Sequence, residues 1–130
     1  SYAIDFELPH QKRTADWVIQ TDREEDKHLH QIDFIFCSDE YLLEINRNHL
    51  GHDDYTDIIT FPLEDDPIIG EIYISIDRVK ENAITFQTGF ENELKRVIIH
   101  GVLHLCGYDD HAKADIKEIR HMEEMYLSKW

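Results

Sequence analysis

Two histidines four residues apart, His100 and His104, lie in a mostly apolar stretch and are followed by Asp109, Asp110 and His111. On an α-helix such positions are neighbours one turn apart, so both imidazoles can reach one ion at bonds of roughly 2.0 to 2.1 Å. Gly107 permits a left-handed helix stop that folds the chain back and brings Asp110 or His111 toward the same ion. Three protein ligands leave a coordination position open, where a zinc ion lowers the pKa of bound water to about 7 or polarises a phosphoryl oxygen. The competing role for the pair is that of hydrogen-bonded core histidines. Each would then need its own partner to avoid a desolvation cost of about 1 to 3 kcal/mol, a difficulty that ligation removes. In the zinc-peptidase pattern H-E-x-x-H a general base follows the first histidine; here that place is Gly101, which has no side chain to serve as one.

The helix carrying the pair is expected over residues 91–106. Counting about 100° per residue from His100, Leu94, Ile98, Gly101, Val102 and Leu105 fall together, with Ile99 and Leu103 on the other flank. Near its end this helix is apolar almost all round and must be buried. His104 lands about 40° from His100, and Glu93 and Arg96 lie on the same narrow side. Arg96 is a candidate phosphate contact, since a guanidinium binds phosphate oxygens in a fork; its structural alternative is an i,i+3 pair with Glu93.

The remaining elements must position this helix. Residues 11–25 favour a helix with Ala15, Trp17, Val18 and Ile19 as its apolar side. Residues 30–36 form a strand whose Ile32, Phe34 and Phe36 face the core. Ser38 caps a helix of about ten residues that buries Leu42, Leu43 and Ile45 and stops at Gly51. Residues 55–61 form a strand ended by Pro62, and residues 64–67 turn into a strand over 70–75, antiparallel to its predecessor or at a sheet edge. Ser75 or Asp77 caps a helix with Ile76, Val79, Ala83 and Phe86 on one face, punctuated by Gly89. Residues 112–127 are a final amphipathic helix with Ile116, Ile119, Met122 or Glu123, and Tyr126 at helical spacing. Residues 2–6 alternate loosely and suit a short edge strand. The class is α+β: a small mixed sheet of about four strands packed against helices, with a central buried metal-binding helix.

Composition bounds the function. At 130 residues, 1–130 is expected to be a single domain that buries most of its apolar surface without disulfides. No apolar run approaches the roughly 20 residues of a membrane helix, and no signal-peptide pattern is visible. Cys37 and Cys106 are too few for a disulfide scaffold and are expected as free, buried thiols in a reducing cytoplasm. The formal charge of -15, from 28 acids against 13 bases, argues against a broad electrostatic footprint for nucleic acid. No DNA partner is expected, and any RNA contact is local or counterion-assisted.

The run His100-Gly101-Val102-Leu103-His104-Leu105-Cys106-Gly107-Tyr108-Asp109 resembles the signature of the YbeY family, the metal-dependent endoribonucleases that mature ribosomal RNA in bacteria. Asn46 and Thr56-Asp57-Ile58-Ile59-Thr60-Phe61-Pro62 resemble that family's other characteristic stretch, and Gly70-Glu71-Ile72-Tyr73-Ile74-Ser75 its following strand. The resemblance implies a metzincin-like fold, one zinc ion or another divalent metal, and single-stranded RNA cut by a metal-bound water or a 2′-hydroxyl beside the ion. It also implies ribosomal RNA and ribosomal subunits as partners, in small-subunit ribosomal RNA maturation and ribosome quality control. Two positions depart from the family pattern. Its third ligand histidine falls at Asp110, with His111 one residue later: register favours Asp110, and borderline-soft zinc chemistry favours His111. Its arginine after the asparagine aligns with Leu50, leaving that role to Arg47 or Arg96. Two other functions fit the same helix. One is a metal-dependent peptidase or amidase, against which Gly101 argues. The other is a non-catalytic ribosome-assembly factor with a structural metal, which Leu50 and the acidic surface make credible.

Overall fold

A computed structural model describes Ile4 and residues 6–130. Eight elements follow one another: α1 (Gln11–Glu24), β1 (Leu29–Cys37), α2 (Asp39–Leu50), β2 (Ile58–Asp65), β3 (Ile68–Ser75), α3 (Ile76–Thr85), α4 (Phe90–Leu105) and α5 (Lys113–Leu127). The architecture is α+β. The strands form one sheet of order β1-β3-β2, β3 running parallel to β1 and antiparallel to β2. Among the described residues the sheet therefore has three strands rather than about four. The expected strand over residues 2–6 falls mostly outside the described residues; Ile4 and Phe6, which are described, pack against the core without joining a strand.

β3 is central because it is apolar on both sides. Ile68, Ile72 and Ile74 are buried in the main core with α4, and Tyr73 packs with Leu42, Ile45 and Ile59 in a second cluster under α2. β1 contributes Ile32, Phe34 and Phe36 to the main core, half-buried as suits an edge strand. β2 starts at Ile58, not residue 55, and continues through Pro62 to Asp65. A proline does not stop it, because β2 lies at a sheet edge, where a missing N–H costs no ladder bond, and the register slips between Pro62 and Glu64. The turn shrinks accordingly to Asp66 and Pro67.

α4 packs against β2 and β3 on one side and against α1, α3 and α5 on the others, the fate expected of a helix apolar all round. Close approach to the sheet depends on Gly101: a Cβ there would lie 2.8 Å from Ile58 Cδ1 and 3.1 Å from two atoms of Ile72. The caps follow the sequence. Ser38 and Ser75 each accept from the backbone N–H three residues on, and Gly51, at φ +71°, ends α2. Ser75 Oγ also donates to Asp39 Oδ1 at 2.7 Å, and Arg78 bonds Asp39, which fastens the starts of α2 and α3 together.

Three apolar expectations change. In α1, Trp17 and Val18 are buried as expected, but Ala15 and Ile19 are exposed, and Thr14, Thr21 and Asp22 are buried instead. Phe86 lies just past the end of α3, where the helical face no longer continues, and is exposed. In α5, Ile119 and Tyr126 are buried with Glu123, while Ile116 is exposed. The C-terminal end packs back on α1: Trp17 Nε1 donates to the Tyr126 carbonyl at 2.8 Å, and the Trp17 and Trp130 rings meet edge to face at 5.1 Å.

Candidate metal centre

The last two turns of α4 and the turn after it bring three donor groups together. His100 Nε2 and His104 Nε2 are 2.9 Å apart, and Asp110 Oδ2 lies 3.5 Å from the first and 3.4 Å from the second. Gly107, at φ +107°, makes the reversal that carries Asp110 back over the histidines. His111 points elsewhere: its side chain is 86% exposed and pairs with Asp109 at 3.2 Å. Of the two alternatives for the third position, the fold brings Asp110 to the pair and leaves His111 in solvent.

The far sides of both rings are held by acceptors. His104 Nδ1–H donates to the Tyr108 carbonyl at 3.0 Å, and His100 Nδ1–H donates to Glu123 Oε2 at 2.5 Å. A carbonyl and a carboxylate can only accept, so in the neutral rings the proton sits on Nδ1 and the lone pair on Nε2. Two Nε2 lone pairs and a carboxylate oxygen then converge on one point. Such a cluster repels itself unless a proton or a metal cation lies between the donors, and the donor set, two imidazoles and one carboxylate, suits zinc. The residues present therefore fit a divalent ion. Burial of the His100 ring disfavours its charged form, but Glu123, with Asp110 and Asp57, outweighs burial and raises its pKa above the ordinary histidine value.

Glu123 was not expected as a functional residue. It is 3% exposed on α5, and besides His100 it takes Arg96 Nη1 at 3.3 Å. Arg96 Nη2 reaches Glu124 at 2.5 Å, so the guanidinium spans α4 and α5 and does not form the expected pair with Glu93. Spacing alone grouped Glu123 with Met122 as the inward residue of α5. The signal that separates them is chemical: a buried acid needs a hydrogen-bond partner, and the half-buried His100 supplies a ring N–H.

Beside His100 opens a cleft of about 580 Å³, walled by α3, α4 and α5, whose lining includes Asp57, His100 and Asp110. Asp57 Oδ2 accepts from Asn82 at 3.2 Å, and burial raises the pKa of this carboxyl, with nearby His100 acting in the opposite direction. Asn46 is buried and donates to the Asp54 carbonyl at 2.8 Å, pinning the loop that leads to Asp57. Leu50 is 45% exposed at the end of α2, and Arg47 is paired with Asp53. Tyr108 donates from its hydroxyl to Glu25 at 2.8 Å, and Phe61 packs edge to face on Tyr73, so both rings have structural contacts.

Comparison with known proteins adds independent findings. The family model described as Endoribonuclease YbeY matches residues 3–130. An Endoribonuclease YbeY of Flavobacterium psychrophilum is 50% identical over 128 residues, 98% of this chain and 91% of the relative. One from Parabacteroides distasonis is 48% identical over 130 residues, covering 98% and 92%. Among solved structures, the solution structure of TM1509 from Thermotoga maritima aligns with a TM-score of 0.67 at 34% identity, covering 93% of this chain and 83% of that one.

Proposed function

The chain belongs to the YbeY family, and from that premise we propose that it is a metal-dependent endoribonuclease that cuts single-stranded RNA during ribosomal RNA maturation. The observation that carries the reading is the convergence of His100 Nε2, His104 Nε2 and Asp110 Oδ2, with His100 and Asp110 lining an open cleft. These three would hold a single zinc ion. When bound, that ion supplies Lewis acidity toward a phosphate oxygen and an activated water.

The chain's own residues do the rest. Glu123 and the Tyr108 carbonyl fix both Nδ1–H groups, so the rings keep their tautomers and present Nε2 inward. Asp57 is the cleft carboxyl suited to hold a proton, on Oδ1, while Oδ2 stays on Asn82. Gly101 leaves the peptidase base position without a carboxylate and supports a phosphodiester substrate over an amide. Ribosomal subunits as partners and a cytoplasmic location accompany the same reading.

Metal content by mass spectrometry and cleavage of labelled single-stranded RNA test it together. The wild type should carry stoichiometric zinc and cut RNA; His104→Ala and Asp110→Ala should lose both, and His111→Ala should keep both. Full metal and full cleavage in His104→Ala would sink the assignment. RNA left intact by a metal-loaded wild type that binds ribosomal subunits would favour a binding factor.

A further inference from the structure

The cleft holds groups that ion binding leaves unused. Glu93 is 5% exposed and lines the cleft, yet its carboxylate makes no hydrogen bond or ion pair among the described residues. Arg96, one turn along, is turned to Glu123 and Glu124 instead. The residue is buried while its carboxylate oxygens reach solvent at the cleft, where Arg96 and Arg120 act on them only as neighbouring charges. The space beside them is large enough for a ligand that supplies N–H donors. On α5, Arg120 lines the same cleft and forms no ion pair among the described residues. Phe86, past the end of α3 and 63% exposed, lines it too.

A paired acceptor, an aromatic face and a guanidinium that forms no ion pair among the described residues complement the three parts of a nucleotide: base edge, base face and phosphate. The two oxygens of a carboxylate match two parallel N–H donors. Guanine alone offers these, at N1 and N2. Adenine and cytosine set an acceptor beside their amine, and uracil flanks its N–H with carbonyls that a carboxylate repels. A cationic side chain is a poorer occupant, because it would meet Arg120.

We propose that this cleft is a guanine subsite for the nucleotide next to the scissile phosphate, with Glu93 accepting from N1–H and N2–H, Phe86 against the base and Arg120 on a phosphate. The proposal rests on the endoribonuclease reading, and two readouts keep them separable. The first is junction-by-junction cleavage, with zinc supplied, of short oligoadenylates carrying one guanosine, cytidine or uridine. The second is binding of guanosine monophosphate against adenosine monophosphate to the metal-free protein by NMR titration.

Wild type should cut beside guanosine and bind guanosine monophosphate about tenfold or more in preference to the alternatives, the discrimination of one bidentate base contact. Glu93→Gln, which sets an amide N–H against N1–H, should erase both preferences. Phe86→Ala, at an exposed position that spares the core, should weaken both nucleotides alike. Equal cleavage at all junctions together with equal binding of both nucleotides would overturn the subsite and leave the nuclease intact. No cleavage anywhere, with guanine-selective binding retained, would overturn the nuclease reading and leave the subsite. Unchanged nucleotide binding in Phe86→Ala would overturn the stacking wall.

Discussion

At the scale of residues, the site is governed by which atom each polar group faces. His100 and Glu123 form a carboxylate–histidine pair across α4 and α5, and such partners typically set ligand affinity within a factor of about 10 to 100. Glu123→Gln should therefore weaken zinc binding by about 10- to 100-fold in a chelator-competition titration, with the fold kept. An unchanged affinity would mean that Glu123 serves only Arg96. The free cysteines behave oppositely to the site: both are buried, and burial first, then the nearby Asp39 and Asp77, push the Cys37 thiol up to about 11. Only the thiolate attacks alkylating reagents. Native protein at pH 8 should leave Cys37 unlabelled, and labelling should rise as pH climbs toward about 11, whereas denatured protein should label at once. Rapid native labelling at pH 8 would contradict the burial of this strand end.

Elements set how firmly those residues are held. Gly101 lets α4 lie directly on the sheet, and a Cβ there meets Ile72, which is fully buried and cannot swing aside. Overpacking costs about 1 to 3 kcal/mol, against a helical gain of about 1 kcal/mol for alanine over glycine. Gly101→Ala should thus lower the melting temperature and, by lifting α4 beside His100, weaken metal binding. A higher melting temperature would show that helix propensity wins. α4 was legible in the sequence because its apolar residues surround it, a pattern that only burial satisfies. The pairing of Glu123 with His100 was not, since periodicity tells which face a residue occupies and says nothing about what lies opposite. That Asp110 rather than His111 lies beside the two histidines depended on the turn at Gly107 in three dimensions. The extent of β2 was misread because a proline stops a central strand but not an edge, and edge position is a property of the sheet. Phe86 was misplaced because its helix ends one residue earlier.

For the whole molecule, charge decides how RNA is met. A chain of formal charge -15 presents few cations, and among the cleft residues Arg96 is already shared by two carboxylates. Single-stranded binding loses affinity with salt at a slope of about -0.7 per neutralised phosphate, so about two contacts give a slope near -1.4. Fluorescence-anisotropy titrations of RNA across salt concentrations should return a slope no steeper than about -2. A much steeper slope would reveal a basic surface that the composition does not provide.

The edge-to-face contact of Trp17 and Trp130 has an optical consequence. These are the chain's two tryptophans, each ring is the other's neighbour, and neither lines the cleft. Intrinsic emission therefore watches the seam between α1 and the C-terminal end of the chain, where separation of the indoles alters both coupling and solvent contact. A ligand entering the cleft should leave that signal nearly still. Unfolding, or fraying of the last turn of α5, should move it at once, so the protein carries its own integrity gauge for every binding experiment.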